Sequence, residues 1–285
     1  MEKVTIFFER TTASKCPLTF KVHGTFEGLP PGGQLIRYRL AGAGKWKSVK
    51  VPGSHDGTYT TVLETLAWDA ETGRTSVQVE LAQPGGLTSN TLYYFECGDP
   101  PEGATFGEAA EPVGLTRSGG PVVELVADAY LDAVQAVSGA EAALVNRYGF
   151  WTGLDAGSVT YQELFDLQPA GLHVDVYTVT GAELKRVLAH PNPVGWVLTP
   201  SASLRYTLEG GAVTELTLNG APVADTQVLK IAANYVLVGG GQGWPRWEGS
   251  TAVYRGGPDD RGALASYIAK NTPVPAPQGD RVTMR

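Results

Sequence analysis

The sequence predicts two domains, an all-β sandwich over residues 1–117 and an α+β domain over residues 123–285, joined by a short linker at 118–122. Three observations predict it. A chain of 285 residues is long enough to build two hydrophobic cores. Its 36 glycines and 19 prolines follow no Gly-X-Y period, and in the first half they punctuate short alternating segments about every ten residues. Beyond residue 122 the apolar positions change from a period of two to helical spacing.

In the first domain, MEKVTIFFERTT alternates apolar and polar residues and forms a first strand. It is charged from its second residue, so it does not read as a secretory signal. KCPLTFKVHGTF alternates, LPPGG turns, QLIRYRL alternates again and AGAGK turns into WKSVKV; YTTVLETL, SVQVEL and TLYYFEC complete seven or so strands. The stretch GLTSNTLYYFECGDP (86–100) resembles the Leu-x-Pro-x-Thr-x-Tyr signature of fibronectin type III domains, with Leu87, Thr91 and Tyr93 in place and Ser89 where proline is usual. It is most similar to the N-terminal fibronectin-like domain of purple acid phosphatases, where a similar stretch ends in Cys-Gly-Asp. The resemblance implies an immunoglobulin-like sandwich and says little about function.

GLTRSGGP (114–121) is small and polar, as a domain joint is. Val122, Val126, Ala129, Tyr130, Ala133 and Val137 then fall on one helical face, which predicts a helix of about four turns. AALVN (142–146) is a buried-strand run and TYQELFDL (160–167) is amphipathic. HVDVYTVT (173–180) reads as a strand and GAELKRVLAH (181–190) as a helix. The strands SLRYTLEG, AVTELTLNG and QVLKIAANYVLV follow, and DDRGALASYIAK (259–270) is a last helix. Helices and strands mix without strict alternation, which favours α+β over a doubly wound sheet.

The net charge is −7 and the basic residues are scattered, so the chain carries no footprint for nucleic acid or an anionic membrane. No stretch approaches the roughly 18 apolar residues that span a bilayer, so no membrane insertion is expected. Synthesis in the cytoplasm follows from the same reading. Cys16 and Cys97 are the two cysteines; buried free thiols are the expected state, with a pair across the sandwich as the alternative. His23, His55, His173 and His190 stand in four separate segments, so no metal or other cofactor is expected. SHDG (54–57) reads as a polar hairpin turn rather than a nucleophilic triad. Asp259 and Asp260 read as helix capping rather than as acid and base. The run VGGGQGWPRW (238–247) lacks the Lys-Ser/Thr of a phosphate loop.

ALVNRYGFWTGLDAGSVTYQELFDLQPAG, then VYTVTGAELKRVLAH, SLRYTLEG and LKIAANYVLVGGGQGWP, resembles the C-terminal domain of the 5′-nucleotidase family in order and spacing, over residues 123–285. In that family the domain is not catalytic. The resemblance implies a nucleoside pocket in which two rings sandwich the base while an Asn, an Arg and an Asp hold the rest. Hydrolysis belongs to a separate two-metal phosphoesterase domain. Carried over, the family's asparagine is Asn146, its arginine falls on Trp151, its first stacking ring on Ala170, its second ring on Trp244 and its acid on Gln242. A missing stacking ring costs about 1–3 kcal/mol and a missing charge-assisted contact a similar amount. Binding would fall by about two to four decades. The expected function is therefore a non-catalytic structural or binding protein, with protein partners or self-association in an assembly such as a phage tail or capsid surface. The alternatives are a module holding a nucleoside or other small ring between Trp244 and Trp151, and an accessory subunit of a separately encoded phosphoesterase.

Overall fold

A computed structural model of the chain describes residues 1–10, 16, 18–54, 56–68, 74–83 and 86–285. It divides into two compact units, Met1–Pro100 and Pro101–Arg285.

The first unit, among the described residues, contains strands and no helix: β1 (Lys3–Arg10), β2 (Leu18–Glu27), β3 (Gln34–Leu40), β4 (Lys47–Val51), β5 (Tyr59–Trp68), β6 (Ser76–Val77), β7 (Val79–Gln83) and β8 (Leu92–Tyr93). They form an antiparallel sheet in the order β1-β2-β5, a second in the order β4-β3-β7, and the pair β6-β8. Along β2 every second residue is buried, as the alternation of LTFKVHGTFE requires. Residues of both sheets, among them Ile6, Phe20, Ile36 and Leu81, share one core. At its centre Phe20 meets Trp68 and Tyr94 edge to face, the arrangement the ring quadrupoles favour.

Cys16 and Cys97 form a disulfide with their Cα atoms 5.8 Å apart, which corrects the expectation of two free thiols. The cause lies in the neighbouring strand. Ile6 N donates to Asn90 Oδ1 (2.8 Å) and Arg10 Nη1 to Glu96 Oε2 (3.0 Å), so the segment leading to Cys97 runs beside β1. Cys16 stands just before β2, the partner of β1. His55, expected in a polar turn with Ser54 and Asp56, lies outside the described residues; beside it Asp56 Oδ1 accepts hydrogen bonds from the Ser54 hydroxyl and from Thr58 N.

The second unit comprises β9 (Thr105–Ala109), α1 (Pro121–Ser138), β10 (Ala142–Val145), β11 (Gly157–Thr160), α2 (Tyr161–Leu167), β12 (Val174–Thr180), α3 (Gly181–Leu188), β13 (Thr199–Pro200), β14 (Leu204–Glu209), β15 (Ala212–Leu218), β16 (Ala221–Pro222), β17 (Val228–Asn234), α4 (Tyr235–Val238), β18 (Thr251–Tyr254), α5 (Asp260–Asn271) and β19 (Val282–Met284). A five-stranded mixed sheet runs β13-β10-β17-β12-β18, with β10 and β17 parallel. β10 is buried on both faces, which explains its unbroken apolar run AALV. Ala142 and Leu144 join Tyr177, Val179, Leu229 and Ile231 in a core on one face, shared with α3 and with the second sheet, β16-β15-β14-β19. α1 packs against α5 and against β10, β12, β13 and β17.

The boundary between the units falls earlier than the sequence predicts. β9 pairs with β11, and Val113 bridges Leu154, so residues 101–117 belong to the second unit. The joint expected at 118–122 is instead the entry to α1. Thr116 and Gly119 exchange backbone hydrogen bonds, and Pro121 occupies the first turn, where its missing N–H costs nothing. The expected strand QVLKIAANYVLV also divides. Asn234 Oδ1 accepts from Leu237 N at 2.9 Å and starts a single helical turn inside an apolar run that shows no break. α2 begins on a reciprocal capping box between Thr160 and Glu163, and Asp259 caps α5 by accepting from Gly262 N at 3.1 Å. At the C-terminal end β19 lies parallel to β14, and the Arg281 guanidinium, held by Glu124 and Asp128, anchors that strand to α1.

Candidate functional site

A cavity of about 320 Å³ opens where β10, β17 and α2 end and α5 begins. Four amides and two other polar groups converge on it. Asn146 follows directly on β10, Asn234 closes β17, Gln168 caps the C-terminus of α2 and Gln242 sits in the glycine-rich loop after α4. Tyr130 reaches it from α1 and Asp260 from the first turn of α5. At the mouth stand Tyr148 and Trp151, the latter 76% exposed.

Two of the amides are bound to each other. Asn146 Nδ2 donates to Gln242 Oε1, while the Gln242 backbone carbonyl accepts from Asn192 Nδ2. Gln242 is held at φ 59, a left-handed conformation that costs a side-chain-bearing residue free energy and persists only where its surroundings impose it. The Tyr130 hydroxyl bonds to Gln168 and Asn234, and burial pushes its pKa well above the usual tyrosine range. Gln168 Oε1 is buried and has no hydrogen-bond partner among the described residues. A buried amide oxygen left so costs about 1–3 kcal/mol, an amount a ligand donor would recover.

Asp260 is the one titratable carboxyl of the cavity lining, and it too is buried. Its Oδ2 accepts from Leu172 N at 3.2 Å and its Oδ1 from Arg261 N at 2.9 Å. Burial, reinforced by the negative charge of Asp259, raises its pKa to about 7. Near neutral pH this carboxyl therefore exchanges its proton readily, acting as acceptor in one state and donor in the other.

Of the four site residues read from the sequence, Asn146, Trp151 and Gln242 line this cavity and Trp244 does not. Trp244 is 3% exposed and packs in the core with Leu237 and Val238, which corrects its expected role as a stacking ring. The reason is the tightness of the loop. Gly240 has φ 88, and a Cβ there would meet Arg246 N at 2.9 Å, so the chain doubles back and carries the indole inward. Ala170 lines the cavity at the place carried over from the family's first ring, and it offers a methyl group where a ring would stack. Sequence reasoning missed Tyr130, Gln168, Asn234 and Asp260. Tyr130 was legible only as a member of an apolar helix face, and Asp260 only as a capping neighbour.

Among the described residues no group of three or more His, Cys, Asp or Glu side chains is placed to hold a metal ion. His23 Nε2 lies 2.6 Å from Glu9 Oε2, and His173 Nδ1 lies 3.0 Å from the Gly257 carbonyl. No helix among the described residues is long and apolar enough to cross a membrane.

Fold and cavity together define an α+β domain with a concave cavity at the ends of its sheet strands. Residues 107–248 match the family described as the 5′-nucleotidase, C-terminal domain, and this part of the chain belongs to that family. Protein UshA of Escherichia coli is 26% identical over 140 residues, which are 48% of this chain and 26% of that protein. A 5′-nucleotidase of Vibrio vulnificus is 26% identical over 153 residues, 50% of this chain and 27% of the relative. The match thus spans about a quarter of the length of these curated relatives, and it is the C-terminal domain that is matched. Among solved structures, a 5′-nucleotidase precursor from Thermus thermophilus superposes with a TM-score of 0.58 at 16% identity, over 78% of this chain and 52% of that one. A putative 5′-nucleotidase from Staphylococcus aureus gives 0.51 at 15% identity, over 74% and 50%. At these identities the two structures show a shared fold.

Proposed function

We propose that the second unit is a non-catalytic binding module whose cavity takes a small, uncharged ring compound, a nucleoside without its phosphate being the nearest chemistry. The unpartnered Gln168 Oε1, in a lining that also includes the exposed Trp151, carries this reading. Trp151 stands where the family places an arginine and Gln242 where it places an acid, so the lining favours stacking and neutral hydrogen bonds over phosphate recognition. The fibronectin-like character of the first unit belongs to the same proposal, supported by two antiparallel three-stranded sheets sharing one core. The Cys16–Cys97 bridge supports work in an oxidising compartment.

The test is a thermal-shift and calorimetric comparison of adenosine with its 5′-monophosphate, on the full chain and on Trp151→Ala. A ligand at 100 times its dissociation constant adds about 2.7 kcal/mol of stability. The expected result is a shift with adenosine at least as large as with the monophosphate, lost in the variant. No shift with either, together with a defined oligomer in light scattering, would replace this reading with the assembly role. Co-purification with a metal-bearing phosphoesterase would replace it with the accessory-subunit role.

A further inference from the structure

A second cavity, of about 620 Å³, shares no lining residue with the first. The same loop builds its wall: Gln242 faces the amide cavity, while Gly239 and residues 246–250 line this one, together with α4 and the edge strand β18. Its chemistry is different. Arg246 and Arg255 both line it, and among the described residues neither guanidinium is in an ion pair, although the chain carries a net charge of −7. The acid in the lining, Glu248, acts on Arg186, which Glu183 already holds at 2.7 Å, so its charge is shared with a third arginine. Arg255 is close enough to Tyr177 for its charge to act on that hydroxyl.

Three aromatic residues, Tyr177, Tyr235 and Trp247, also line it. Trp247 meets Tyr177 at 6.4 Å and 65°, and its indole N–H has no partner among the described residues. Tyr235, at the start of α4, is 54% exposed. Two uncommitted guanidiniums on a concave wall make a local positive site on an acidic protein, and their planar forks suit a carboxylate better than a point charge does. Beside them Tyr235 supplies an exposed ring face, while Trp247 and Tyr177 are buried and form the apolar floor.

We propose that this cavity is a second binding site, for a small aromatic carboxylate whose ring lies against the exposed Tyr235 and whose carboxylate is held by Arg246 and Arg255. The site is independent of the amide cavity, and the test keeps the two apart. Naphthalene-2-carboxylate and its neutral carboxamide are titrated calorimetrically into the full chain and into Arg246→Gln, Arg255→Gln and Trp151→Ala. The expected result is at least tenfold tighter binding of the carboxylate than of the amide, a loss of at least fivefold in each arginine variant, and no change in Trp151→Ala. In the unaltered chain, raising the salt concentration should weaken the carboxylate and leave the amide unaffected, a readout that does not depend on the variants folding. Equal affinity for the two compounds, no binding of either, or loss in Trp151→Ala with both arginine variants unchanged would overturn the proposal.

Discussion

Asp260→Asn should change the sign of its effect on stability between acid and alkaline pH. Folding raises the Asp260 carboxyl from an ordinary value of 3.8 to about 7, through burial first and the Asp259 charge second. The folded protein therefore holds a proton that the unfolded chain has lost, so stability falls as pH rises from about 4 to about 7 and is flat beyond. Three pH units at 1.36 kcal/mol each make this loss about 4 kcal/mol. An asparagine removes it but keeps one acceptor oxygen, whereas the carboxyl serves Leu172 N and Arg261 N with separate oxygens. One of those amides loses its partner, at a cost of about 1–3 kcal/mol. The variant should thus be less stable than the parent by about 2 kcal/mol at pH 4 and more stable by about 2 kcal/mol at pH 8. Urea unfolding at several pH values measures the difference directly, and groups common to both proteins cancel. A difference that stays constant across the range would refute the account of Asp260 as a buried carboxyl near neutrality.

Two further outcomes follow from the packing. Trp244→Ala should cost about 3–5 kcal/mol, because its ring fills the core beneath the loop, while Trp151→Ala should stay within about 0.5 kcal/mol; chemical denaturation of both variants checks the contrast, and equal costs would contradict the placement of the two rings. Reducing the Cys16–Cys97 bridge, which closes a separation of 81 residues, should cost the first unit up to ~4.5 kcal/mol by loop-closure entropy. A urea midpoint unmoved by reductant, with two free thiols titrated, would contradict it.

What the sequence made legible follows from where its signals are local. Helices α1, α3 and α5 were readable because an apolar stripe, a capping residue or a change of period lies within one stretch of chain. The disulfide was not, since pairing depends on β1 lying beside the segment before Cys97, a contact between residues 84 or more positions apart. β9 was assigned to the wrong side of the boundary for the same reason: its partner β11 lies beyond α1, and five residues of TFGEA do not say which sheet they join. At the cavity, the family resemblance located Asn146, Trp151 and Gln242. It could not locate Asp260, whose chemistry comes from burial by elements distant in sequence.

The loop at 238–247 shows how one short segment carries two roles. Four glycines let the chain reverse within a few residues, and that reversal turns Trp244 and Trp247 into the core while leaving Gln242 and Arg246 on its outer surfaces. Gln242 then closes onto Asn146 by an uncharged hydrogen bond, whereas the acid found at that place in the family would have faced Asn146 with a charge. The amide pair needs no counter-ion, and Trp151 supplies none. A carboxylate at 242 or a guanidinium at 151 alone would add an unmatched charge to this cavity, whereas the two together would offset one another. Gln242→Asp combined with Trp151→Arg should therefore bind a nucleoside monophosphate more tightly than the parent does, while either substitution alone should impair binding of the uncharged ring compound, an outcome that calorimetry on the single and double variants would read as strong non-additivity.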